Sequence, residues 1–431
     1  MHDLSRLLPL PAAAALALCL LAPQAPGQEM RDSDHKKLGG LVERFFEKRE
    51  SSSKDAEKAR EDLREELEKI GKKKAGKDGD ALQTALAMVA DLEAIAAQSY
   101  SFKNLRGGKP EVRSVERGGS KTEYTLLLPS SYKAGSGPYP LLLVAPPLKE
   151  GKPMNGEQFL QEFWVDGALR DAAVIAVVHL PEDADSWSKL FVDAGAGQRA
   201  PGGLSYLMTA YGDVLSTVAV DPARVFVAGR GRGVEAAMAL GATFPQNFAG
   251  VIGQVGGPGA VVWQNYSNLP VLLQGGGADA TAFADSVKGA GYDNATLEAD
   301  VKDEGILAWM QDHPRVSNPT RVVLHPGSPI PTKAYWLGVP PTAVEEGTYV
   351  RAEIDRATNK VKVEGQGVRS VTLYFNDVLL DLDKPITVEL NGQAQEVVVV
   401  RSLDDYLDLL YRATSDPSRV YVASRSFDLP E

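Results

Sequence analysis

The chain of 431 residues has one cysteine, Cys19, and only five histidines. Cys19 lies within the leader "MHDLSRLLPLPAAAALALCLLAPQAPGQEM", so a protein cleaved behind that leader has no thiol, no disulfide and no cysteine-bound metal. Positive charge is also short: 46 Lys and Arg face 57 Asp and Glu, for a formal net charge of -11 and a pI near 5.2. Nucleic acid is therefore not an expected partner, because binding it needs a basic surface to replace counterions. No His/Asp cluster has metal-ligand spacing, which leaves neither a metal nor a cofactor to expect. Internal repeats and low-complexity tracts are missing as well.

The leader has a lone Arg6, an apolar stretch from about Ala12 to Ala22, and the small residues Ala25 and Gly27 before Gln28. This is the layout of a secretory signal, residues 1–27, and predicts an exported protein beginning near Gln28 or Glu29. The competing reading is a membrane anchor, but a span needs roughly 20 uninterrupted apolar residues and prolines frame this run. Leu18 stands before Cys19 where a lipoprotein signal wants a small residue. After cleavage no membrane association is expected.

Residues 30–100 are charge-dense and helical. Ala56, Ala59, Leu63, Leu67 and Ile70 recur at steps of three and four, as do Leu82, Ala85, Val89, Leu92 and Ala96 after "GKKKAGKDGD". The pattern predicts an antiparallel helical hairpin preceded by a shorter helix carrying Phe45 and Phe46. Its charged runs read as solvated faces, the alternative being a surface for a protein partner. Within residues 115–318 the texture changes to short, nearly continuous apolar runs such as "YPLLLVAPP", "AAVIAVVHLP" and "LPVLLQGGGAD", alternating with helical segments at Gly156–Arg170, Leu204–Val218 and Val234–Phe244. Buried parallel strands read this way, and the alternation predicts a doubly wound, mostly parallel α/β sheet. Across residues 319–431 the period drops to two, in "TYVRAEID", "NKVKVEGQG" and "EVVVVRS", with a short helix at Leu403–Tyr411; this predicts a small antiparallel β-sandwich.

The segment "VFVAGRGRGVEAAM", Val225 to Met238, halts an apolar run on glycine and resumes as an amphipathic helix. Gly229, Gly231 and Gly233 fit G-x-X-x-G, the sharp strand-to-helix turn that raises a nucleophile above a sheet. The same residues approach the dinucleotide loop G-x-G-x-x-G, whose third glycine would stand at Val234. That loop also wants an acid at the end of the next strand, where Gln254 and Val255 stand.

Around this turn, in "DPARVFVAGRGRGVEAAMALGATFPQNFAGVIGQVGG", Asp221, Pro222, Arg224, Val225, Phe244, Pro245 and Phe248 resemble, in order, the secreted α/β-hydrolases of the feruloyl esterase, polyhydroxybutyrate depolymerase and prolyl-oligopeptidase-like group. The resemblance extends from about Glu123 to Arg315. It implies an α/β-hydrolase sheet and a serine at the elbow, where this chain has Gly231. It places the triad acid at Asp279. It places the histidine within "EADVKDEGILAWM", which has none; Asp303 or Glu304 stands there instead. His313 falls beyond the following helix, and His179 and His325 read as structural. Relatives carry an H-G turn after the strand at Leu141–Ala145 to supply oxyanion donors, whereas Pro146 and Pro147 have no N–H to give.

Nucleophile, base and half of an oxyanion hole are thus missing together, so no catalytic residue is expected and the chain reads as an exported α/β-hydrolase-fold pseudoenzyme acting in binding or scaffolding. The enzyme alternative is a secreted serine esterase or peptidase with a displaced nucleophile, for which Ser205 is the candidate; its other reading is a helix N-cap. Arg230 and Arg232 flank the helix start and form a candidate anion site for a small anionic or carbohydrate ligand. The plainer alternative has both arginines in solvent or paired with acids such as Glu235.

Overall fold

The computed structural model describes residues 30–430 except 77–78, 118–119, 136, 327–332, 341–346 and 414–415. The leader, Cys19 and the cleavage site lie outside the described residues. No helix of the described residues is long and apolar enough to cross a membrane.

Four helices open the described chain: α1 (Asp32–Arg49), α2 (Ser53–Lys72), α3 (Ala81–Leu86) and α4 (Val89–Ala97). Ser52 caps α2 by accepting from the Asp55 N–H, and Asp80 caps α3 by accepting from Leu82 and Gln83. At 18 residues α1 is shorter than the 20-residue α2, but one expectation needs correction: the second arm of the hairpin breaks at Ala87–Met88 into α3 and α4. Its apolar stripe is uninterrupted in sequence, so periodicity alone does not register the break.

Eight strands build the central sheet: β1 (Glu111–Arg117), β2 (Ser120–Leu127), β3 (Tyr139–Ala145), β4 (Val174–Val178), β5 (Val220–Arg230), β6 (Gly250–Gln254), β7 (Val271–Gln274) and β8 (Ala295–Glu298). They lie in the order β1-β2-β4-β3-β5-β6-β7-β8. The β1/β2 and β2/β4 pairs are antiparallel and all others are parallel. This is the doubly wound, mostly parallel sheet expected. The edge strand β1 was not anticipated: it is charged, and its Val112 is half exposed, so no buried run announces it.

Helices cover both faces: α5 (Gly156–Glu162), α6 (Gly167–Ala172) and α10 (Ile306–Asp312) on one, α7 (Gly203–Thr217), α8 (Gly233–Thr243) and α9 (Gly277–Gly289) on the other. Successive strand residues supply the two cores. Leu141, Leu143 and Ala145 of β3 join α7 and α8, while Leu142 and Val144 join α5, α6 and α10. The single helix read over Gly156–Arg170 is two, because Trp164 takes a left-handed φ of 49° and Asp166 starts α6 as its cap.

The longer strands that follow the central sheet are β9 (Arg321–Leu324), β10 (Tyr349–Asp355), β11 (Lys360–Gln366), β12 (Ser370–Phe375), β13 (Ile386–Leu390), β14 (Gln393–Val397) and β15 (Ala423–Asp428), with α11 (Leu403–Arg412) before the last. One sheet runs β9-β10-β11-β13-β14. The other joins β15 and β12 to a short hairpin at Lys333–Ala334 and Leu337–Gly338. The pairing is antiparallel except between β11 and β13, where the chain leaves for β12 in the other sheet and returns in its former direction.

One apolar cluster unites these sheets with the N-terminal helices. Leu63, Leu67, Leu86 and Leu92 are buried with Val361, Val388, Leu373 and Leu407. Polar contacts fix the register: the Tyr406 hydroxyl donates to Leu92 O (3.1 Å), the Gln83 amide exchanges two bonds with the Arg401 backbone (2.8 and 3.0 Å), and Arg60 pairs with Asp404 (2.8 Å).

Candidate functional site

The turn after β5 is held by close backbone crossings. A Cβ on Gly229 would fall 2.3 Å from Gly233 O, one on Gly233 2.1 Å from Ala145 O, and one on Gly256 2.3 Å from Gly231 O. No side chain fits at these three positions. Gly231 is left-handed (φ 55°), donates its N–H to Gln254 O (2.9 Å), and accepts from the Val234 N–H (3.2 Å). Strand, one-residue apex and helix therefore form an elbow. The position where a dinucleotide loop needs its third glycine is filled by Val234, fully buried; a Cβ on Gly253 would meet its side chain at 2.8 Å.

At the apex, a Cβ on Gly231 would sit 3.2 Å from Pro147 Cβ. Pro147 thus stands against the place a nucleophile would occupy. It has no N–H, and its carbonyl accepts from Met154 N (2.9 Å). Gly256 touches Gly231, and Gly257 lies against Asp279, whose Oδ2 is 3.3 Å from where a Gly257 Cβ would be. Asp279 is exposed in the first turn of α9. It is near the elbow, with no histidine between.

Asp303, at the expected position of the base, belongs to a polar row along the carboxyl ends of the strands. Arg230, Gln254, Gln274 and Glu298 end β5, β6, β7 and β8 and are direct register partners. Gln254 is fully buried. Its Oε1 accepts from Trp164 Nε1 (3.0 Å) and Arg230 (2.8 Å), and its Nε2 donates to Gln274 Oε1 (2.8 Å) and Asp303 Oδ1 (2.9 Å). Gln274 Nε2 donates to Glu298 (2.7 Å) and Lys302 O (3.2 Å). The Trp164 N–H closes the network on Asp303 Oδ2 (3.2 Å). All four bonding positions of the Gln254 amide are filled, so the row is structural, with nothing of Gln254 left over for a substrate. Sequence reading missed it, although each apolar run visibly ends on a polar residue.

Both arginines of the turn are engaged. Arg232 pairs with Glu235 (2.7 Å) and Asp185 (3.1 Å). Arg230 adds to its Gln254 bond a position 4.1 Å over the Phe163 ring. Burial lowers its pKa, against the opposing charge of Asp303. An anion at this turn would have to displace these partners.

Other candidates lie apart. Ser205 is the third residue of α7 and not its cap, which is Gly202; its hydroxyl donates to Leu190 O. His313 ends α10, with Nδ1 2.7 Å from Trp309 O and its ring stacked on Trp309. His179 Nε2 is 3.0 Å from Thr125 Oγ1, and burial lowers its pKa. His325 stacks on Tyr349. His35, which no motif singled out, is buried against Asp91 (2.7 Å) among the N-terminal helices.

No family model matches this chain, and no curated protein does. Among solved structures it is similar to a thermostable esterase (14% identity, 48% of this chain and 63% of that one, TM-score 0.38). It is similar also to an S-formylglutathione hydrolase from Agrobacterium tumefaciens (14%, 49% and 95%, TM-score 0.36) and to a dipeptidyl aminopeptidase IV-type protein from Bacteroides ovatus (11%, 48% and 36%, TM-score 0.36). The similar part spans less than two thirds of the esterase and of the peptidase.

Among the described residues, clefts also lie away from the elbow. One, of ≈ 750 Å³, lies between the hairpin at Phe191–Gly195 and Gln198–Pro201 and the far end of α8, at Ala239, Ala242 and Thr243. That is about 15 Å along the helix from Gly231 at 1.5 Å per residue. The other, of ≈ 990 Å³, opens between α7 and the C-terminal sheets.

Proposed function

We propose that this protein is a non-hydrolytic member of the α/β-hydrolase fold that works by binding. The observation that carries the reading is the apex itself, where a glycine takes the nucleophile's place and Pro147 closes on it from the oxyanion side. Supporting it, Asp303 is bonded to Trp164 and Gln254, and none of the four described histidines is hydrogen-bonded or stacked at the turn. Losing the serine or histidine of a triad lowers turnover on the order of 10⁶-fold, and what survives depends on the oxyanion hole. The apolar leader supports export as part of this reading, with a secreted form starting near Gln28 on N-terminal sequencing.

The test is labelling with a fluorophosphonate alongside turnover of p-nitrophenyl acetate. Purified protein is expected to take no label and to show only background hydrolysis. Turnover abolished by the probe would overturn the proposal and return attention to a displaced nucleophile.

A further inference from the structure

The larger cleft shares no residue with the Gly231 turn, and its ≈ 990 Å³ is at the upper end of the roughly 300–1,000 Å³ common to small-molecule sites. Lys333, Arg412 and Arg419 line it together with Tyr374 and Tyr421. The Lys333 ammonium rests 3.9 Å from the centre of the Tyr374 ring and 5.4 Å from that of Tyr421. Among the described residues no carboxylate pairs with Lys333 or with Arg412. Arg419 is held by Asp416 (2.7 Å), which also binds the buried Arg315 (2.7 Å). Cations thus exceed carboxylates in a part-buried space where charge is poorly screened.

A second observation points the same way. Gln246 lines the cleft, is 8% exposed, and its buried Oε1 has no hydrogen-bond partner. A buried polar atom left unpaired is costly, so a partner from outside the chain is the natural completion. Thr372 and Ser426, whose hydroxyls lie 2.8 Å apart, add further polar contacts on the wall.

We propose that this cleft binds a small hydroxylated organic anion of the sugar-acid class, with its carboxylate on Lys333 and Arg412 and a hydroxyl donated to Gln246. A planar guanidinium suits a carboxylate, and a compact ammonium supplies the point charge. The inference uses no feature of the elbow, so it stands or falls separately from the absence of hydrolysis.

The groups facing Lys333 are the Tyr374 and Tyr421 rings and the guanidinium groups of Arg412 and Arg419; Asp416 holds Arg419, and Glu93 approaches Asp416 from α4. Burial, then repulsion from Arg419 and Arg412, pushes Lys333 down to about 7. A bound anion restores the proton, so affinity falls as pH rises above 7 and binding there takes up a proton.

Isothermal titration of the full chain with D-glucuronate, D-glucose and sulfate, at pH 6 and pH 9, tests this. Glucuronate is expected to bind at pH 6 and more weakly at pH 9, with glucose silent. Arg412→Ala, at an exposed position that leaves folding intact, and Lys333→Met should each weaken glucuronate roughly tenfold, the worth of one charge-assisted contact. Lys333→Arg should keep binding and lose most of the pH dependence. Gln246→Leu should weaken glucuronate and leave sulfate unchanged. Sulfate binding without glucuronate would overturn the ligand class. Silence from both, or affinity indifferent to Arg412→Ala and Lys333→Met, would overturn the site.

Discussion

A methyl group on Gly233 would meet the Ala145 carbonyl oxygen at 2.1 Å, whereas one on Gly231 meets Pro147 Cβ at 3.2 Å. The two glycines therefore differ in what they tolerate. Gly233→Ala forces β3 away from the helix start and is expected to cost about 1–3 kcal/mol or more. Gly231→Ser asks Pro147 to give by only a few tenths of an ångström but keeps a left-handed backbone, a strain of about 1–2 kcal/mol. Urea denaturation checks both, and equal losses would show that the elbow is not crossed as tightly as described. On the proposed reading the serine variant should also take no fluorophosphonate label, since no described histidine lies at the turn and Pro146 and Pro147 have no N–H to give. At this scale the sequence was legible: the spacing of Gly229, Gly231 and Gly233 named the turn. Which carbonyl crowds Gly233 was not, because Ala145 comes from another strand.

The ends of four strands show the limit at the next scale. Arg230, Gln254 and Gln274 each close an apolar run, a feature visible in the sequence, and Glu298 ends the short strand beside them. Only the parallel register brings them side by side. Register is a property of pairing between distant segments, so no local pattern reveals it. The resemblance put Asp303 or Glu304 at the vacant position of a catalytic histidine, whereas the oxygens of Asp303 accept from Gln254 and Trp164. Replacing Gln254 by Leu removes four bonds at once, strands the buried Trp164 Nε1, and takes a partner from the half-buried Arg230 and Asp303. The expected loss is about 3 kcal/mol, from one or more unpaired buried groups at about 1–3 each. Chemical denaturation measures it, and a loss under about 0.5 kcal/mol, typical of a surface change, would show that water satisfies the row.

At the scale of the whole molecule, the amphipathic stripes of the N-terminal helices and the period-two strands of the last hundred residues were each readable, but their partnership was not. A stripe says that a face is buried and leaves open what buries it. Here α2, α3 and α4 share a core with the C-terminal sheets, and the chain closes on itself across the central α/β region. Glu93 of α4 tests that closure. Burial, reinforced by the negative charge of Asp416, pushes its carboxyl from 4.5 up to about 7. Below pH 4.5 the folded and unfolded chains both hold the proton, and the group contributes nothing. As pH rises from 4.5 to 7 the unfolded chain releases it while the folded chain retains it, so stability declines; above 7 the decline is complete. A shift of this size corresponds to about 3 kcal/mol. Glu93→Gln, which keeps the shape and cannot ionise, should therefore match the wild type at pH 4 and exceed it by up to about 3 kcal/mol at pH 8, as read from denaturant midpoints. Equal stability at both pH values would mean that water reaches Glu93 and that α4 does not seal against the Asp416 loop.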